Sequence, residues 1–211
     1  MADNYLEKRY DECFGSAKPK VKRVGHPLDD LLLRNRSYRG YNKAYVVSRD
    51  ELKRIVAVNA KLPSGCNRQS LRFRLVTKDD GAVLVLPLIR LGAALPELHL
   101  PSPGTEPEAF IVICSTMPEG KLVDIDMGIS AQSMLLKAVE MGLNGIIIGT
   151  FDKERLKEAL QLPYEPLLIV AIGKGAEKIE LVPIAAAGDH AYYRRDGVHY
   201  VPKVRVDDLI I

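Results

Sequence analysis

The chain has 211 residues and a mass of 23.4 kDa, which suits one generous domain, since chains divide mostly beyond roughly 250–300 residues. Hydrophobic residues make up 47% and charged residues 27%, which excludes disordered, collagen-like and disulfide-scaffold classes. The net charge of +3 comes from 30 basic and 27 acidic side chains spread along the chain, so no nucleic-acid partner is implied.

Cys13, Cys66 and Cys114 are odd in number and far apart, fitting neither a disulfide framework nor paired metal ligands. A reducing cytoplasm is the expected compartment. The first residues, MADNYLEKRYDECFGS, carry charges throughout, and no apolar run approaches the ~20 residues of a membrane span. Neither secretion nor membrane insertion is expected.

Residues 1–26 are polar, include the basic stretch Lys18–Arg23, and read as an arm preceding a single domain over 27–211. Pro27 to Leu33 begins a short helix with Asp29 and Asp30 in its first turn, where the helix dipole favours negative charge. Ser48-Arg49-Asp50-Glu51 is a capping box, followed by Leu52, Ile55, Val56 and Asn59 at helical spacing, and this helix stops near Pro63. Arg72 to Thr77 alternates apolar and charged residues, meets the turn Lys78–Gly81, and is followed by the apolar run Ala82–Leu86. The pattern predicts an antiparallel hairpin. Five prolines between Pro87 and Pro107 predict irregular structure. The apolar run Ala109–Cys114 predicts a central strand covered on both faces.

The longest helix is expected from about Leu122 to Gly142. Leu122, Ile125, Ile129, Leu136, Val139 and Leu143 recur at the three- and four-residue spacing of a helix seam, and Gln132 falls on the same stripe. Met127, Ala131, Met134, Leu135 and Ala138 make the other faces apolar too, so the helix belongs in a core or a subunit interface. A strand over Gly145–Gly149, a helix capped by Asp152 and running to Leu160, and a buried strand over Pro166–Ile172 follow. The class is α+β, a mixed, mainly antiparallel sheet flanked by helices, and His199–Ile211 extends outward from it.

The chain has no GxxxxGK[ST], no GxGxxG, no GxSxG and no HExxH. The four histidines stand at no metal-ligand spacing, so no metal site is expected. What remains is a set of short polar clusters. Arg36-Ser37-Tyr38-Arg39 places two guanidinium groups just after a helix, suited to a phosphate or other planar anion, though a solvated surface pair has the same pattern. Pro63-Ser64-Gly65-Cys66-Asn67-Arg68-Gln69 gathers donors and acceptors in one turn that could read a heterocycle edge or simply cap a helix. Lys203 and Arg205 are two apart and share a face if the tail is extended, so two cations are expected to converge. Tyr200, Val201, Leu209, Ile210 and Ile211 make that tail too apolar for a solvated end, so docking is expected. Gln132, if buried, needs a partner, since an unsatisfied amide costs ~1–3 kcal/mol.

In this order, Arg36–Arg39, then PSGCNRQ, then AQSMLLKAVEMGLNG leading to IIIGTFD, then VPKVR, the sequence resembles the nitroreductase family of FMN-dependent oxidoreductases. The likeness runs from about Leu31 to Ile211. It implies a homodimer with flavin at the subunit interface and an extended C-terminal tail exchanged between subunits. By position it implies that Arg36, Ser37 and Arg39 meet the flavin's phosphate, ribityl chain and pyrimidine edge, and that Lys203 and Arg205 complete the phosphate site. Pro63, Ser64, Asn67 and Gln69 would approach from the other subunit, Gln132 would face the cofactor, and the backbone at Ile148, Gly149 and Thr150 would lie by the reactive N5 edge.

The resemblance further implies that NAD(P)H gives hydride to N5 and that a nitroaromatic, quinone or similar acceptor then takes the electrons in a ping-pong cycle. No side-chain base is required. Arg39 would oppose the negative charge of the reduced ring. Two alternatives stay open: a flavin-binding homodimer without NAD(P)H turnover, and a relative performing ene reduction or reductive dehalogenation. The chain departs from the family pattern where Ser70 and Leu71, rather than proline and tryptophan, follow Gln69. The short proline-rich region Pro87–Pro107 also stands where larger members carry helices lining the substrate opening.

Overall fold

A four-stranded antiparallel sheet in the order β1-β2-β4-β3 forms the centre of the molecule. The computed structural model describes residues 27–92 and 98–211; the expected arm over 1–26 lies outside them. The strands are β1 (Leu71–Val76), β2 (Ala109–Ser115), β3 (Asn144–Ile148) and β4 (Glu165–Gly173). β2 is buried along its whole length, because alternate residues serve two cores. Phe110, Val112 and Cys114 join one cluster with Ile146, Ile148 and Ile169, whereas Ala109, Ile111 and Ile113 join the other with Val170 and Ile172. Continuous apolar runs are the sequence signature of such doubly covered strands.

Helices flank the two faces. α1 (Leu28–Arg34) carries Asp29 and Asp30 in its first turn. α2 (Arg49–Val56) starts at a complete capping box, with the Glu51 N–H donating to Ser48 Oγ and the Ser48 N–H to Glu51. The 20-residue α4 (Lys121–Glu140) stops before Gly142, whose φ of +76° lies in the left-handed region that ends helices. α5 (Lys153–Ala159) is capped by Asp152, which accepts from the Arg155 N–H. Leu52 and Ile55 of α2 pack with Ala131, Met134, Leu135 and Ala138 of α4 on one face of the sheet, and Leu156 of α5 on the other.

The structure corrects one expected element. Ala82–Leu86 does not return as the second strand of a hairpin: Ala82–Val85 is a short helix, α3, and β1 pairs with β2 instead. Gly81 at φ +98° turns the chain, and its carbonyl accepts from the N–H groups of Leu84 and Val85. Ala82 and Val85 are buried while Val83 and Leu84 are exposed, a helical rather than an alternating pattern. The turn is fixed by Asp80, which accepts from both Arg74 and Arg49.

A second, three-stranded sheet is built from the C-terminal region. β5 (Lys178–Ile184) runs parallel to β7 (Val198–Val204), and β6 (Tyr193–Arg195) pairs antiparallel with β7. The sequence reading of an outward tail from His199 therefore begins too early: the chain leaves the sheet only after Val204. Beyond it Val206, Leu209, Ile210 and Ile211 are exposed. The seam expected on α4 also proves to be an outward stripe at its N-terminal end, where Leu122 and Ile125 are 38% and 48% exposed.

Candidate functional site

The segment Arg36–Arg39 crosses from α1 to the end of β4 and is pinned by its tyrosines. The Tyr38 N–H donates to the Gly145 carbonyl at 3.2 Å, and the Tyr41 hydroxyl donates to the Tyr38 carbonyl at 2.9 Å. The tyrosine rings lie where Gly173 and Gly175 have no side chain. A Cβ on Gly175 would stand 2.4 Å from the Tyr38 ring, and one on Gly173 would stand 2.5 Å from the Tyr41 ring, both closer than atoms can approach. Burial pushes the hydroxyls of Tyr38 and Tyr41 above their ordinary values, with Glu177 adding to the effect.

Glu177 is the organising group that sequence reasoning missed. One of its carboxylate oxygens accepts from the backbone N–H groups of both Arg39 and Gly40, the latter at 3.1 Å, and the other accepts from the Arg194 guanidinium. Its side chain is 10% exposed. This clamp joins the Arg36–Arg39 segment to the entry of β5 and to β6.

Together these elements enclose a hollow of about 230 Å³ whose lining includes Arg36, Ser37, Arg39, Tyr192, His199 and Lys203. Arg36 donates to the Leu32 carbonyl at 2.6 Å and Arg39 to the Ser37 carbonyl at 3.1 Å, so each guanidinium keeps one internal bond. The Nε atoms of both arginines, and Nδ1 of His199, are buried without a hydrogen-bond partner. Such atoms are rare in folded proteins and costly to leave unpaired. Burial pulls the Arg36 guanidinium below its ordinary value, with Tyr38 partly offsetting it, yet an arginine stays charged. The hollow is therefore cationic, with Arg36, Arg39 and Lys203 in its lining, which fits a phosphate monoester.

Arg205 does not join Lys203 there. Arg205 is still extended, its N–H donating to the Ile184 carbonyl at 3.0 Å, but its Nε donates to Asp208 at 3.1 Å and its side chain does not line the hollow.

The turn Pro63–Gln69 forms a second hollow, of about 150 Å³, lined by Pro63, Ser64 and Gln69 with Asn59, Asp126 and Ser130. Cys66, Asn67 and Gln69 all have φ near +50°, a left-handed conformation that costs of order 1 kcal/mol or more for each non-glycine residue. Asp126, buried on α4, offsets that cost: it accepts from Ser64 Oγ at 2.7 Å and the Gly65 N–H at 2.8 Å. The hydroxyl proton of Ser64 is thus committed inward, and its oxygen accepts from the Gln69 N–H at 2.9 Å. Gln69 in turn donates to Asn67 Oδ1.

Gln132 is exposed rather than buried, and its side-chain carbonyl accepts from Asn35, itself a wall of the first hollow. Ile148 is buried at the end of β3, with Gly149 and Thr150 exposed beyond it. Thr150 borders a third hollow with Arg90, Phe151 and Arg155. Within one chain, then, Arg36, Ser37, Arg39 and Lys203 stand together, Pro63, Ser64 and Gln69 stand together, and these groups remain separate.

A family model described as the nitroreductase family matches residues 32–98 and 118–174, more than half of the chain. The chain belongs to the nitroreductase family. Its two matched stretches contain Arg36–Arg39, the Pro63–Gln69 turn, Gln132 and Ile148–Thr150. YdgI of Bacillus subtilis, a protein named as a candidate NAD(P)H nitroreductase, is 22% identical over 185 residues, spanning 71% of this chain and 88% of the relative. Among solved structures, a nitroreductase family protein from Clostridium difficile superposes with a TM-score of 0.58 at 23% identity, over 72% of this chain and 86% of the other. A nitroreductase-like protein from Exiguobacterium sibiricum, solved in complex with FMN, gives 0.58 at 18% identity, over 74% and 91%. These likenesses establish the α+β fold with its antiparallel sheet flanked by helices.

Proposed function

We propose that this nitroreductase-family chain is an FMN-dependent oxidoreductase that works as a homodimer. The observation that carries the reading is the hollow lined by Arg36, Ser37, Arg39 and Lys203, three cations around one cavity, with the Nε atoms of both arginines unpartnered beside it. The FMN bound by the Exiguobacterium sibiricum relative has a phosphate of the kind this hollow fits. Bound FMN would supply the redox chemistry, taking hydride from NADH or NADPH and passing electrons to a small acceptor such as a nitroaromatic or a quinone in a separate half-reaction.

The chain's own residues bind, orient and exclude water. Arg36, Arg39 and Lys203 neutralise the phosphate, and Ser37 and Asn35 add short polar contacts. Arg39 is 9% exposed, so its charge acts through a poorly screened medium. The Glu177 clamp holds Arg39 in place without covering its side chain.

The separation of the Pro63–Gln69 turn from this hollow supports an interface site, in which the turn of one subunit completes the cavity of the other. The exposed stripe of Leu122 and Ile125, with Leu28, Leu33 and the apolar C-terminal residues, supplies apolar surface for that contact and for an exchanged tail.

FMN titration followed by fluorescence quenching tests the site. Arg39→Ala should weaken binding by about 1.5–3 kcal/mol, roughly ten- to a hundredfold, the contribution of a charge-assisted hydrogen bond. Unchanged affinity would refute the assignment.

A further inference from the structure

The cationic hollow contains a histidine with no task in the account above. His199 lies on β7, paired in register with Ile179 of β5 and Arg194 of β6, and is 3% exposed. Its ring meets Tyr192 edge-on with centroids 5.2 Å apart, and the Arg39 guanidinium lies 5.0 Å from the centre of the same tyrosine ring. Tyr192 thus holds the histidine and the arginine in one wall of the hollow.

Among the described residues, Nδ1 of His199 is sealed from solvent without a hydrogen-bond partner. His199 nevertheless lines the hollow, so Nε2 is the polar atom it can present there. A phenylalanine would fill the same space against Tyr192 without an unpaired nitrogen, and the polarity of the ring gains a purpose only if Nε2 meets a ligand. Burial, then the charges of Arg39 and Arg194, hold the imidazolium form below its ordinary value, with Glu177 partly offsetting them. The ring is accordingly neutral at pH 7, carrying one proton that either nitrogen can hold. An anion in the hollow selects the tautomer with that proton on Nε2.

We propose, resting on the FMN reading above, that His199 is a ligand of the cofactor's phosphate, donating from Nε2 beside Arg36, Arg39 and Lys203. It adds a hydrogen bond to the charge supplied by Arg36, Arg39 and Lys203. The residue therefore contributes to the preference for FMN over riboflavin, which has the same ring and ribityl chain but no phosphate.

The test compares FMN and riboflavin affinities in the full-length wild type, His199→Phe and His199→Gln. His199→Phe keeps the packing against Tyr192 and removes both nitrogens, so FMN affinity should fall about tenfold or more while riboflavin affinity holds. The variant should melt no lower than the wild type when both are free of flavin. His199→Gln, which can place an amide N–H near the position of Nε2, should recover most of the loss. In 15N-histidine-labelled wild type, the His199 Nε2 resonance should move with FMN and stay in place with riboflavin, a result independent of any variant. A preference for FMN over riboflavin as large in His199→Phe as in the wild type, or an Nε2 resonance unmoved by FMN, overturns the histidine's role alone. A wild type that does not prefer FMN overturns the anion site, and the histidine's role with it.

Discussion

Replacing Glu177 separates two sources of order at the cationic hollow. Both backbone donors, the Arg39 and Gly40 N–H groups, meet the same carboxylate oxygen, whereas the Arg194 guanidinium meets the other. Glu177→Ala leaves both backbone donors unpaired in a part-buried place. At roughly 1.5–3 kcal/mol for a hydrogen bond to a charged group, the loss should reach about 3 kcal/mol or more. Glu177→Gln can keep its carbonyl on the two N–H groups, and its amide then faces Arg194 donor to donor. Arg194 is 30% exposed and can turn to water, so this exchange should cost about 1 kcal/mol or less. Urea denaturation of flavin-free protein at fixed concentration measures both. For a chain of this length the alanine variant should also melt on the order of 10 °C lower. If glutamine costs as much as alanine, the backbone clamp is not what Glu177 contributes.

Lys203 lines the hollow while Arg205 pairs with Asp208, so Lys203→Ala should weaken FMN binding about tenfold or more and Arg205→Ala by less, as read by fluorescence titration. Ile125→Glu, on the exposed stripe of α4, should convert a dimer to a folded monomer in light scattering, with helix content unchanged by circular dichroism. Arg74 first, with Arg49, holds the Asp80 carboxyl below the usual carboxylate range. Its contribution to stability is therefore complete above about pH 4 and fades as pH falls through the depressed folded-state value. The stability gap between wild type and Asp80→Asn should close on acidification, and a gap that widened would contradict the sign.

Local signals were legible in the sequence where one segment carried the whole cause. The Ser48–Glu51 capping box, the doubly buried β2 and β4, the Asp152 cap and the Gly142 stop each depend on residues within one element, and each forms as expected. The run Ala82–Leu86 was ambiguous because a short apolar segment has no period long enough to separate strand from helix. Asp126 and Glu177 were not legible at all. Each acts on a backbone 61 to 138 residues away, and an isolated carboxylate in a sequence has no mark of the N–H groups it will meet. His199 and Tyr192 were hidden for the same reason, since only the pairing of β5, β6 and β7 brings them to Arg36 and Arg39. Arg205 shows the converse: alternation gives the face a residue stands on, and it does not reveal a local partner such as Asp208, which takes up the Arg205 guanidinium.

Anaerobic titration of FMN-loaded protein decides whether this chain is a flavin-dependent reductase. Purified protein is loaded with FMN, freed of excess, and followed by visible absorbance as NADH and, separately, NADPH is added. FMN should be retained, and its absorbance should be bleached by at least one of the two. Loss of FMN during removal of the excess would contradict the cofactor assignment, and retention without bleaching by either nucleotide would contradict the reductase.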